Sequence, residues 1–128
     1  MSRDDELRTL TSRWNDAWNS RDAGQLAVFF STGATYYEPE FAAPRDGATA
    51  VAEAARQTWA EWPEASFEAV SVTVDAPRVV LEWRSSATHS SGRTLNLEGV
   101  DVLEWEGDRL TAARVYYDVH ARVVALRD

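Results

Sequence analysis

From residue 67 onward the chain alternates. Segments 67–75, 78–89, 93–105 and 109–119 each set apolar residues at every second position, which is the period of a strand with one buried face. The joints are Ala76-Pro77, Ser90-Ser91-Gly92 and Glu106-Gly107-Asp108, each short and made of the residues that close hairpins. Four long strands joined this way form an antiparallel meander. One face of such a meander is apolar, and something must cover it.

The first half of the chain supplies the cover. Leu7, Leu10, Trp14, Ala17 and Trp18 form the stripe of an amphipathic helix over roughly residues 3–20. A short second helix is expected to bury Leu26, Phe29 and Phe30, with Ser31-Thr32-Gly33 ending it. Residues 34–38 read as a strand, closed by Pro39, which has no N–H for a ladder. A loop over 40–47 leads to a third helix over about 48–62, stopped by Pro63. The expected fold is α+β: a curved, mostly antiparallel sheet wrapped around helices as a cone-shaped α+β barrel. Three N-terminal helices precede the four-strand C-terminal meander, in one domain over residues 1–128.

Composition narrows the function. Apolar residues make up 45 % of the chain, with six Trp, four Tyr and four Phe, too many for a disordered segment. There is no Cys, so thiolate catalysis, disulfides and zinc–thiolate sites are excluded. With only His89 and His120, no multi-histidine metal site is expected. All 13 basic residues are Arg, which excludes a lysine Schiff base. A net charge of −8 argues against a nucleic-acid surface. No run of 18 apolar residues is present and the N-terminal MSRDDELRTL lacks the apolar core of a signal peptide, so a cytoplasmic protein without a membrane span is expected.

Two acidic residues stand out. In segment 93–105 one face carries Leu95, Leu97, Gly99, Asp101, Leu103 and Trp105, the other Asn96, Glu98, Val100, Val102 and Glu104. The first face is the more apolar and turns inward, which puts Asp101 in the middle of a buried stripe. A carboxylate there requires hydrogen bonds, a partner or a raised pKa; Arg114 and Tyr117 are the partners the sequence offers. On segment 78–89, Val79, Leu81, Trp83 and Ala87 point inward by the same count. Glu38 closes the first strand between Tyr37 and Pro39, at a strand end that could form a pocket mouth.

The order of helices and strands is similar to that of the nuclear transport factor 2-like superfamily, which includes ketosteroid isomerase and SnoaL-type polyketide cyclases. Three local matches to the isomerase carry the resemblance, which spans nearly the whole chain. They are Ala34-Thr35-Tyr36-Tyr37-Glu38-Pro39, the loop Pro44-Arg45-Asp46-Gly47, and Gly92-Arg93 followed by Val100-Asp101 and Gly107. The resemblance implies Glu38 as general base and Asp101 as the protonated donor to a developing enolate, a division of labour for which that isomerase is the standard example. Trp14 stands where the isomerase has its oxyanion tyrosine, and Glu38 is longer than the aspartate it replaces. Tyr116-Tyr117-Asp118 resembles the last strand of the cyclases, which implies Asp118 as an alternative acid with His89 as its partner; strict alternation then demands a bulge before Asp118.

The implied function is isomerisation or cyclisation of a hydrophobic carbonyl compound by proton transfer, without metal or cofactor. Trp14, Trp18, Tyr36, Phe41, Trp59, Trp62, Trp83, Val115 and Tyr117 are the candidate substrate-binding residues. The alternative is a non-catalytic small-molecule-binding or dimerisation module of the same fold. A homodimer through the outer sheet face near Val100 and Val102 is the expected assembly.

Overall fold

The computed structural model describes residues 2–89 and 91–121. Helix α1 (Arg3–Trp18) is capped by Ser2, whose side chain accepts from the Asp5 N–H, and carries Asp4, Asp5 and Glu6 in its first turn, the charge that a helix N-terminus favours. A five-residue α2 (Ala23–Ala27) follows, then β1 (Phe30–Tyr37), a two-residue β2 (Arg45–Asp46) and α3 (Gly47–Glu61). The meander is β3 (Ser66–Asp75), β4 (Arg78–Thr88), β5 (Thr94–Glu106) and β6 (Arg109–Tyr117). Ser90, part of the expected turn between β4 and β5, lies outside the described residues.

The strands form one curved sheet in the order β2-β1-β6-β5-β4-β3. All neighbours are antiparallel except β1 and β6, which run parallel. The sheet does not close: β2 and β3 are its edges. The expected barrel is therefore an open sheet, because a two-residue strand leaves too little ladder to meet β3.

The other correction concerns where β1 starts. The second helix stops at Ala27, and Phe30 belongs to the strand, four residues before the expected start. The Leu110 N–H donates to the Phe29 carbonyl at 2.7 Å and the Ser31 hydroxyl to that of Leu110 at 3.1 Å, so β6 holds this segment extended. Ser31-Thr32-Gly33 is not a helix end but a bulge inside the strand. The pairing jumps from Phe30–Leu110 to Thr35–Ala112, and Gly33 adopts φ 82°, a conformation that costs glycine least.

The inward faces follow the alternation. Val79, Leu81 and Trp83 of β4, Leu103 and Trp105 of β5, and Ala113 and Val115 of β6 are buried together with Leu7, Trp14 and Trp18 of α1 and Val51 and Ala55 of α3. α1 is tied to β3 at its C-terminal end. The Asn19 side chain accepts from the Phe67 N–H at 2.8 Å and donates to the Phe67 carbonyl at 2.9 Å. This pair of bonds fixes the end of the helix beside Phe67, which with Trp18 lines the candidate site. Among the described residues no helix is long and apolar enough to cross a membrane.

Candidate functional site

Asp101 is 4 % exposed, in the middle of β5. Its partners are neither Arg114 nor Tyr117 but two tryptophans. The Trp14 indole N–H, from α1, donates to Oδ2 at 2.9 Å, and the Trp83 indole N–H, from β4, donates to Oδ1 at 2.8 Å. Arg114 points to the outer face, where its guanidinium sits 2.6 Å from Glu104 and holds that carboxyl below its usual pKa. Burial pushes the Asp101 carboxyl up to about 6, while the two indole bonds, which favour the charged form, limit the rise. The result is a dry carboxyl that changes charge near neutral pH.

Tyr36 stands on β1, 1 % exposed. Its phenol donates to Glu38 Oε2 at 3.2 Å. Burial, followed by the charges of Glu38 and Asp101, raises this phenol well above its ordinary pKa, so it keeps its proton. Further toward solvent the Tyr117 hydroxyl donates to Glu40 Oε2 at 3.1 Å. Two tyrosine–glutamate pairs therefore converge near the carboxyl that the indoles hold.

These groups share one pocket. Glu38, Asp101, Trp18 and Tyr36 line it, as do Trp62, Trp83, Val115 and Tyr117. Four of the sequence candidates are placed elsewhere. Trp14 is fully buried and donates to Asp101. Phe41 packs its ring against Tyr36 at 5.9 Å and under the Arg45 guanidinium at 3.9 Å. Trp59 lies beneath Arg21, 5.8 Å away. Asp118 follows the end of β6, is exposed, and accepts from the Ala121 N–H at 3.2 Å. The bulge that would turn it inward is absent, since the one irregularity between β5 and β6 falls at Glu104/Trp105. His89 packs edge-on against Trp62, with ring centroids 5.1 Å apart, and meets Ser91 through Nδ1.

The pocket also holds residues the sequence reading passed over: Glu40, Asn15, Gln57 and Ser85. Ser85 was legible, because it falls between Trp83 and Ala87 on the inward face of β4. Glu40 was not, because the loop after Pro39 has no period to follow. Among the described residues no three His, Cys, Asp or Glu side chains gather as metal ligands would.

The SnoaL-like domain model matches residues 11–113. The chain belongs to the SnoaL-like family. Solved structures, among them a nuclear transport factor 2-like one, share the fold. One is a protein with a ketosteroid isomerase-like fold from Catenulispora acidiphila DSM 44928, in complex with trimethylamine. It is 16 % identical, with 91 % of this chain and 90 % of that one covered and a TM-score of 0.81. An NTF2-like protein of unknown function from Burkholderia pseudomallei K96243 is 15 % identical over 94 % and 97 % of the two chains, with a TM-score of 0.83. IdmH of Streptomyces antibioticus, a candidate polyketide cyclase, is 18 % identical over 93 % and 96 %, with a TM-score of 0.78. At these identities the likeness is one of fold. No curated protein matches the chain by sequence.

Proposed function

We propose that this SnoaL-like protein catalyses a cofactor-independent proton transfer on a hydrophobic carbonyl compound, giving an isomerised or cyclised ketone. The observation that carries the reading is Asp101: a buried carboxyl on a pocket wall, with each oxygen already accepting from an indole N–H. Two donors aimed at one carboxyl favour its ionised, accepting form. A base poised near pH 6 is well matched to proton abstraction at neutral pH.

The roles then reverse those implied by the isomerase. Asp101 takes the proton from the carbon next to the carbonyl. The Tyr36 phenol, which keeps its own proton, donates a hydrogen bond to the enolate oxygen that develops, where electrostatic stabilisation counts most. In the free protein that single O–H donates to Glu38, so it turns from Glu38 to the enolate oxygen as the ligand binds. The proton carried by Asp101 returns to a second carbon in an isomerisation; in a cyclisation the enolate carbon attacks a second carbonyl and the alkoxide so formed takes the proton. No electrons leave or enter.

One observation favours the original assignment, with Glu38 as base and protonated Asp101 as donor: a carboxyl with a pKa of about 6 is mostly neutral in mildly acidic solution. The two assignments predict opposite pH dependence. The test of the shared proposal is exchange of the C1 protons of 2-tetralone with D2O, followed by NMR. Exchange accelerated by the wild type and lost in Asp101→Asn supports it. Binding of the ketone without accelerated exchange would leave only a ligand-holding module.

A further inference from the structure

The proton-transfer scheme leaves one buried polar group on the pocket wall unused. Ser85 stands two residues beyond Trp83 on the inward face of β4 and is 6 % exposed. It lines the pocket beside Ala87, Leu95 and Leu97, and its hydroxyl has no hydrogen-bond partner among the described residues. The neighbouring Ser86, facing outward, does have one: its hydroxyl lies 3.0 Å from Asn96 Oδ1. Its oxygen is not among the enclosed polar atoms that lack a partner, so it opens onto the pocket, and a ligand that displaces solvent there has to replace its hydrogen bond. An apolar wall carrying one such group is the usual form of a ligand site, in which few polar groups set orientation.

We propose that Ser85 is a specificity-determining residue whose hydroxyl hydrogen-bonds a second oxygen of the ligand, remote from the reacting carbonyl. The ligand class is a rigid hydrophobic ketone bearing a hydroxyl or second carbonyl at its far end. This rests on the reading that places the reacting carbonyl against Asp101 and Tyr36. The register sets the length. Ser85 pairs with Leu97, and Leu81, four residues earlier on β4, pairs with Asp101. Four residues of strand span about 13 Å. A hydrogen bond of about 2.8 Å at Ser85 and a similar approach of Asp101 to the reacting carbon take up nearly half of that, leaving about 7 Å between the remote oxygen and that carbon. Two fused six-membered rings with oxygens at opposite ends have this reach.

Isothermal titration with 2-tetralone and 6-hydroxy-2-tetralone tests the proposal, because the two differ only in the remote hydroxyl. The wild type is expected to bind the hydroxylated ketone roughly tenfold more tightly. Ser85→Ala is expected to abolish that preference, and Ser85→Thr, which keeps the hydroxyl, to retain it. Equal binding by the wild type, a preference that survives Ser85→Ala, loss of the preference in both variants, or binding of neither ketone overturns the proposal. Proton exchange of 2-tetralone, followed in parallel, separates the two readings. A preference dependent on Ser85 without exchange refutes the catalysis and leaves the recognition standing.

Discussion

Gly99 lies directly across the ladder from Trp83, and the indole occupies the space a side chain there would fill. A Cβ built on Gly99 overlaps the Trp83 ring and comes within 2.7 Å of the Tyr116 carbonyl oxygen. The missing side chain lets the ring lie flat across β5 and bring its N–H to Asp101, two residues further on. A backbone position on the central strand thus decides how the pocket's buried carboxyl is held.

Gly99→Ala is expected to push the indole out of this slot, breaking the bond to Asp101 and costing about 1–3 kcal/mol through overpacking. Chemical denaturation measures the loss, and the Trp83 indole N–H resonance reports the bond. A variant as stable as the wild type with that resonance unmoved would show that the ring is held by something else.

Trp14→Phe and Trp83→Phe each remove one donor from Asp101. Its carboxyl is expected to titrate above the wild-type value of about 6 in both, since the donors favour the ionised form. Leaving part of a buried carboxylate unsatisfied is expected to cost about 1–3 kcal/mol above that pH. Carboxyl-carbon NMR titration reads the shift directly. No shift in either variant would mean that burial alone sets the charge of Asp101.

The same carboxyl links stability to pH with an unusual sign. Native Asp101 retains its proton to about pH 6, whereas an unperturbed Asp releases it near 3.8. Between those values the native state binds more protons than the unfolded chain, so the contribution of Asp101 to stability is greatest below about pH 4, falls as pH rises, and levels off above about 6. The full difference is on the order of 3 kcal/mol. Denaturation midpoints of the wild type and Asp101→Asn across pH 3–8 isolate this contribution from that of other carboxylates. A constant difference between the two proteins from pH 4 to 6 would contradict it.

The pattern of strands was readable because burial imposes a period of two. That count alone placed Asp101 on the inward face of β5, together with Leu103 and Trp105. Its partners were not readable, because Trp14 is 87 residues away and only the packing of α1 onto the sheet brings them together. Phe30 was misread for a related reason: a parallel pairing with Leu110 outweighed a local pattern that continued a helix equally well. Asp118 shows the limit of motif likeness. The Tyr-Tyr-Asp run matches, but without a bulge the backbone turns its acid to solvent. The outer face of the sheet, with Val100, Val102 and an exposed Tyr116, remains the surface on which a second copy is proposed to dock.

The most direct test of Asp101 as the proton acceptor is the pH dependence of 2-tetralone proton exchange, corrected for the uncatalysed rate. The account predicts a rate that rises with pH, passes its midpoint near 6 and reaches a plateau, with Asp101→Asn slower by at least roughly a hundredfold. A rate that falls as pH rises through 6, or an Asp101→Asn variant as fast as the wild type, would contradict it.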